Sequence, residues 1–358
     1  MKASLSKDIA KKQAKTLKIV YTPIHGSGYK PVMNILSKLG INPSVVREQI
    51  VPDENFSTVE VPNPENREAL SMGIALAEKV RADVVFGTDP DCDRLGVAVR
   101  DPSGEFVALS GNQVGVLLSD YILHRLKEEK KLPKNGVIVK SFVSTGLVKP
   151  VAASYGVEVV EVPVGFKYIG EKIAGYEKDG SHEFLFGFEE SCGYLRGTHA
   201  RDKDAVVASM LVAEMVAYYN YKKVSVFQKL NEIYEKFGYG VEKTVSIKYE
   251  GITAMDDMNA VVNALKGKFV PNIDIYKVRA VRDYSTATAI LADGTTEEID
   301  CPKTNAVYYE LENNIFVCVR PSGTEPKLKI YYYMMANDKT AALAAVERLS
   351  DAFSEMLR

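Results

Sequence analysis

The chain has 358 residues, 46% of them hydrophobic and 26% charged, which excludes a disordered chain and leaves apolar surface for about two to three domains. Lys+Arg 45 against Asp+Glu 47 gives a formal charge of -2, so neither nucleic acid nor an anionic membrane is expected as a partner. Any anion must be bound locally. Leu17 to Tyr21 reads as a short strand, and Tyr29 to Leu39 has helical spacing that stops at Gly40. Val45-Val46 continues the alternation. Pro64 to Arg81 reads as one helix, with Pro in its first turn and Glu65 near the positive end of its dipole. Val84-Val85-Phe86 then forms a buried strand that runs into Gly87-Thr88-Asp89. After a turn at Asp101-Pro102-Ser103-Gly104, Phe106 to Leu109 leads to Asn112, taken as the cap of a helix over Gln113 to Lys127. A second strand and helix alternation runs through Val137 to Val139, Val157 to Val162 and Phe184 to Phe188, and closes with helices over Asp204 to Tyr219 and Val224 to Phe237.

The pattern changes after Gly238-Tyr239-Gly240. Val241 to Ile247, Ile275 to Val281, Ala287 to Leu291, Ile315 to Val319 and Lys327 to Tyr333 are strand-like, with helices over Met255 to Leu265 and Ala341 to Leu357. The expected fold is therefore two α/β domains with mixed, mostly parallel sheets, followed by a C-terminal α+β domain with an antiparallel sheet. Their expected spans are 1–108, 109–237 and 238–358. The four cysteines, Cys92, Cys192, Cys301 and Cys318, form no Cys-x-x-Cys pair, which disfavours a zinc site and a disulfide framework. Met1 to Lys18 lacks the apolar centre of a signal peptide, and Ala205 to Tyr219 is too short to span a bilayer. A soluble protein in a reducing cytoplasm is expected.

Three segments carry the chemistry. Thr88-Asp89-Pro90-Asp91-Cys92-Asp93-Arg94 spaces three carboxylates so that alternate side chains of an extended loop converge on one cation, with Arg94 as the nearby positive charge. Oxygen-only donors suit Mg²⁺, and Ca²⁺ of the EF-hand type is disfavoured because Arg94 and Arg100 stand where Gly and Glu are needed. A solvated acidic turn is the alternative. Arg320-Pro321-Ser322-Gly323-Thr324-Glu325-Pro326-Lys327 joins a guanidinium fork, hydroxyls and an open Gly, a set that matches a phosphate and equally an ordinary polar turn. Gly187-Phe188-Glu189-Glu190-Ser191-Cys192-Gly193 ends a strand in groups able to hydrogen-bond vicinal sugar hydroxyls, although edge charges on a strand explain it as well. Val164-Gly165-Phe166-Lys167 sets a lone Lys after a Gly. Thr22-Pro23-Ile24-His25-Gly26-Ser27-Gly28 puts His25 in a Gly-rich loop, where a structural hydrogen-bonding role is expected, and Pro31 in place of a third glycine discounts NAD.

In this order, from about Leu17 to the C-terminus, the motifs resemble the α-D-phosphohexomutase superfamily of phosphoglucomutases and phosphomannomutases. The resemblance implies a Mg²⁺-dependent intramolecular phosphotransferase that interconverts hexose 1-phosphate and 6-phosphate through a bisphosphate. It implies Asp89, Asp91 and Asp93 as metal ligands, Arg94 beside the reacting phosphoserine, and Glu189 and Ser191 on the sugar. It implies Arg320, Ser322, Gly323 and Thr324 on the substrate phosphate, and Lys167 as general acid/base or charge partner. The Thr-Asp-Pro-Asp-Cys-Asp-Arg wording is closer to bacterial phosphoglucomutases, related to the phosphopentose mutases, than to the glucosamine subgroup. The family's first domain carries a Ser-His-Asn-Pro-like loop with the reactive serine. That loop is not in this sequence, whose only Ser-His pair, Ser181-His182, is a poor replacement. The expectation is domains two to four of a mutase, inactive alone. The alternatives are a non-catalytic sugar-phosphate-binding protein and a phosphopentomutase of the same family.

Overall fold

A computed structural model describes residues 2–323 and 325–357. The chain divides into two units, Met1–Ser144 with Val148–Ile233 and Thr145–Leu147 with Tyr234–Arg358. The first unit holds α1 (Lys7–Gln13), β1 (Ile19–Thr22), α2 (Tyr29–Lys38), β2 (Ser44–Val45), α3 (Ser71–Val80), β3 (Val84–Thr88), β4 (Leu95–Arg100) and β5 (Phe106–Leu109). The sheet order is β2-β1-β3-β4-β5, with β1 parallel to β2 and β3, while β4 and β5 run antiparallel. Every residue of β1 and β3 is buried, as continuous apolar runs at the centre of a covered sheet must be.

The same unit continues with α4 (Gly111–Glu128), β6 (Gly136–Ser141), α5 (Val148–Ala153), β7 (Glu158–Val162), α6 (Phe166–Asp179), β8 (Glu183–Glu189), β9 (Gly193–Leu195), α7 (Ala205–Tyr221) and the start of α8 (Val226–Phe237). Its second sheet has the order β7-β6-β8-β9, in which only β9 is antiparallel. Two boundaries differ from expectation. Helix α4 is capped by Ser110, whose side chain accepts from Gln113 N while the Gln113 side chain accepts from Ser110 N, so Asn112 lies inside the helix. The stretch expected as one helix from Pro64 starts as a turn held by Asn63 and a 3-10 segment over Arg67–Leu70, because Asn66 is extended. Glu65 is therefore outside the helix, where it ion-pairs with Arg94 at 3.3 Å.

The second unit is a sheet in the order β10-β17-β16-β15-β12-β13-β14, antiparallel throughout. Its strands are β10 (Tyr239–Lys248), β11 (Asn272–Ile273) paired with β12 (Tyr276–Asp283), β13 (Thr288–Leu291), β14 (Thr296–Glu298), β15 (Val307–Leu311), β16 (Phe316–Pro321) and β17 (Lys327–Ala336). Helices α9 (Ala254–Leu265) and α10 (Lys339–Met356) join its core, with Met258, Val262, Leu349 and Phe353 among Val317, Ile330 and Tyr332. The mixed α/β sheets followed by an antiparallel sheet are those expected. Among the described residues, no helix is long and apolar enough to cross a membrane.

Candidate active site

Each of the three motif loops is the turn of a β-hairpin. Thr88 pairs with Leu95 across the acidic loop, Glu189 with Gly193 across the sugar loop, and Pro321 with Leu328 across the phosphate turn. The strand Leu95–Arg100, unseen in the sequence reading, returns the chain beside β3 and so closes the acidic loop into a turn. The carboxylates therefore converge by a route other than the expected extended alternation. Cys92 takes a left-handed φ of 62°, Cys92 N donates to Asp89 O at 3.0 Å, and Asp89 Oδ1 accepts from the backbone N–H of Asp93 and Arg94 at 3.0 and 2.9 Å. One ligand oxygen from each of Asp89, Asp91 and Asp93 lies within 4.8 Å of the others.

The electrostatics of this turn fit a divalent cation. Burial pushes the Asp89 carboxyl up, and Asp93 and Asp91 push it further against the Arg94 N–H, to about 7. Among the described residues, Asp93 Oδ1 is buried with no hydrogen-bond partner. An all-oxygen donor set with one orphaned buried oxygen is suited to Mg²⁺, which would be held by Asp89, Asp91 and Asp93. Arg94 Nε is 3.8 Å from Asp89 Oδ2 and 3.7 Å from Asp93 Oδ1.

Arg94 is not the only cation at the turn, contrary to the sequence reading. Lys203 Nζ lies 2.8 Å from Asp93 Oδ2 and 3.0 Å from Asp202 Oδ1, and although burial works against its charge, the two carboxylates hold its ammonium above the ordinary lysine value. The run Arg201-Asp202-Lys203-Asp204 directly before α7 was the available signal. The acidic and sugar hairpins are also bonded to each other, Leu95 N to Cys192 O at 2.9 Å, with a bridge between Arg94 and Gly193.

Within the sugar loop, Glu189 is 5% exposed and accepts from Gly165 N at 2.6 Å. Burial, then the neighbouring Glu190, raises its carboxyl to about 7. Ser191 is half-buried at the turn. Lys167 is exposed in the first turn of α6, with its ammonium 4.9 Å from the centre of the Tyr168 ring. A second network went unnoticed in the sequence. Lys140 is 0% exposed at the end of β6 and donates to Glu161 at 2.7 Å and to the carbonyls of Ser141 and Ser144 at 3.2 and 3.0 Å. Ser141 and Ser144 in turn donate to Glu190 Oε2 at 2.9 and 3.1 Å. A charged residue closing the apolar run Val137-Ile138-Val139 was the clue.

The phosphate turn belongs to the second unit. Arg320 pairs across the strands with Lys329, Ser322 N donates to Lys327 O at 2.8 Å, and a Cβ at Gly323 would meet open space. Two lysines near Arg320 leave the hairpin end basic, as an anion site requires. Thr324 lies outside the described residues.

The mixed α/β unit carries a carboxylate trio in a hairpin turn, and the antiparallel unit carries a basic turn at a hairpin end. Models of the phosphoglucomutase/phosphomannomutase family match the chain over residues 1–104, as alpha/beta/alpha domain II, and over 110–237, as domain III. The chain belongs to that family, within the phosphohexomutase superfamily. The phosphoglucomutase of Staphylococcus haemolyticus (strain JCSC1435) is 37% identical over 317 residues, covering 88% of this chain and 57% of the relative. The chain thus spans less than two thirds of that relative's length. A phosphoglucomutase structure from Paramecium, pp63/parafusin in its open form, superposes with a TM-score of 0.65 at 17% identity over 97% of this chain and 60% of the other. The Aspergillus fumigatus N-acetylphosphoglucosamine mutase, solved with GlcNAc-6P and magnesium, gives 0.53 at 14% identity over 98% and 69%.

Proposed function

We propose that this chain is the metal-binding, sugar-recognising and phosphate-binding portion of a Mg²⁺-dependent phosphohexomutase that acts on a hexose phosphate through a bisphosphate intermediate. The observation that carries the reading is the turn Asp89–Asp93, with three converging carboxylates and the orphaned Asp93 Oδ1, in a chain of this family. Three domains, 1–108, 109–237 and 238–358, divide those tasks. A cytoplasmic location follows from the cysteine pattern and is part of the proposal.

Bound Mg²⁺ would supply the positive charge that neutralises a transferring phosphoryl group. Arg94, whose guanidinium already faces Asp89 and Asp93, aims its free N–H groups at the phosphoryl oxygens. Glu189 and Ser191 accept and donate hydrogen bonds to sugar hydroxyls. Arg320, Ser322, Gly323 and Thr324 grip the phosphate that does not react, and exposed Lys167 is a charge partner or moves a proton at the sugar oxygen. The sequence contains no Ser-His-Asn-Pro segment to supply the phosphorylated serine, so the chain alone is expected to turn over no substrate. Calorimetric titration tests the reading. Mg²⁺ should bind, and Asp91→Asn should weaken it. Glucose 6-phosphate should bind weakly, with Arg320→Ala lowering its affinity by roughly tenfold or more. Equal titrations of wild type and both variants would remove the assignment.

A further inference from the structure

The loop after β1 is bent in a way its sequence does not favour. Ile24 and His25 are both left-handed, at φ 45° and 58°, and Ile24 is β-branched, the side-chain type that tolerates this region least. Such a bend persists only where the surroundings over-determine it. Here they form a chain of hydrogen bonds among side chains from three segments.

Val51 O can only accept, so His25 Nδ1, 2.8 Å away, carries the proton. Its Nε2 is hydrogen-bonded to the Thr58 hydroxyl at 2.8 Å. Thr58 Oγ1 accepts from Gln49 Nε2 at 2.9 Å, the Gln49 carbonyl oxygen accepts from Thr22 Oγ1, and Thr22 Oγ1 accepts from Ile24 N at 3.2 Å. His25 N itself donates to Gln49 O at 3.0 Å. The bonds run from Ile24 N through Thr22, Gln49, Thr58 and His25 to Val51 O, and the Ile24–His25 backbone closes them into a ring. Thr22 and Gln49 are fully buried and His25 is nearly so.

What this ring holds in place is the next three residues. Ser27 N and Oγ both donate to Pro90 O, at 2.8 and 3.1 Å. A Cβ at Gly26 would stand 2.6 to 2.8 Å from Pro90 Cα, Pro90 O and Asp89 O, and one at Gly28 would meet Thr88 Oγ1 and Cys92 Sγ. The Gly26–Gly28 backbone is thus a cradle pressed against the outer side of the acidic turn.

We propose that His25 is a positioning residue for the metal loop: with Nδ1–H on Val51 O and Nε2 on Thr58 it closes the ring that fixes the cradle, and the cradle sets Asp89, Asp91 and Asp93 in register before a cation arrives. This inference rests on the reading of those three aspartates as a Mg²⁺ site. It assigns Thr22, Gln49 and Thr58 to the same device.

The test is calorimetric titration of MgCl₂ into the full chain as wild type, Asp91→Asn, His25→Ala, Thr58→Val, Thr58→Ser and the His25→Ala/Thr58→Val pair. His25→Ala and Thr58→Val should each weaken Mg²⁺ binding by roughly tenfold, as loss of an outer support to a metal ligand does. The pair should lose no more than either alone, because both open one ring. Thr58→Ser keeps the hydroxyl and should stay within about twofold of wild type. Thr58→Val carries the test if His25→Ala does not fold. If the variants that open the ring titrate within about twofold of wild type while Asp91→Asn weakens, the positioning role is overturned and the metal site stands. If wild type takes up no Mg²⁺, the metal reading falls and the proposal with it.

Discussion

Replacing Lys203 by Met separates charge balance from shape at the acidic turn. The ammonium lies 2.8 Å from Asp93 Oδ2, a distance at which two unit charges attract by about 6 kcal/mol at an effective dielectric of ~20. Both side chains are partly solvated, 14% and 25% exposed, so hydration and side-chain ordering offset most of that attraction. A net value of about 1–3 kcal/mol is left, between the exposed and fully buried limits. Lys203→Met, close in length and without charge, should therefore lower the stability of the metal-free protein by about that amount at pH 8. Mg²⁺ binding should move the other way. A cation no longer has to share Asp93 with an ammonium, and tightening by about fivefold to tenfold corresponds to recovering about 1 kcal/mol. Thermal melts with and without 10 mM MgCl₂ (~10 mM, to reach saturation), together with calorimetric titration, read both changes. Weaker Mg²⁺ binding in Lys203→Met would refute the reasoning, because it would mean that Lys203 shapes the turn more than it competes for it.

Two further outcomes concern the sugar-loop side of the same unit. Lys140→Met should cost about 1–3 kcal/mol in urea unfolding, since it strips a donor from two buried carbonyls and one of two from Glu161, which keeps Lys149 at 2.9 Å, and the Lys140→Met/Glu161→Leu pair should regain part of the loss. An unchanged midpoint in the single variant would contradict a structural role for the buried ammonium. For Glu189 the folded-state pKa of about 7 lies above the ordinary 4.5, so the folded protein keeps this proton longer than the unfolded chain does. Stability is then lost as pH rises through the interval from 4.5 to about 7. Glu189→Gln, which can still accept from Gly165 N, should give a shallower fall in melting temperature over that interval, with a difference on the order of 3 kcal/mol or less above neutral pH. Parallel profiles would show that Glu189 is ionised at ordinary pH.

Much of the fold was legible because central strands announce themselves. Val84-Val85-Phe86 and Val137-Ile138-Val139 are apolar runs too short for helices, and both form buried strands. What escaped was the return strand of a hairpin. Leu95–Arg100 is as apolar as its partner, but the acidic motif drew the reading toward a loop that opens into solvent. Helix α6 was missed for another reason. Its N-cap Gly165, at φ 124°, precedes Lys167 without the Ser, Thr, Asp or Asn that announces a helix start. At the site, the carboxylate trio could be named because its members are close in sequence. Lys203 stands 110 positions beyond Asp93 (203 less 93), and the run Arg201-Asp202-Lys203-Asp204 marks a charged segment without saying which loop it reaches. The ring around His25 escaped for the same reason. Thr22, Gln49 and Thr58 are unremarkable polar residues until the fold brings them to one imidazole.

Two of the hairpin turns are closed by cysteines in the left-handed conformation, Cys92 in the acidic turn and Cys192 in the sugar turn. A thiol at such a position would be a chemical weakness if it ionised, because the thiolate is the form that oxidants and alkylating agents attack. Neither does so readily. Burial, reinforced at Cys92 by Asp89 and at Cys192 by Glu65, pushes both thiols to about 12. At pH 7 that leaves about one molecule in 10⁵ carrying a thiolate at either turn. The carboxylate of Asp89 therefore also protects the cysteine of its own turn, so peroxide or iodoacetamide should leave Cys92 and Cys192 intact in the folded chain and consume them only once it unfolds.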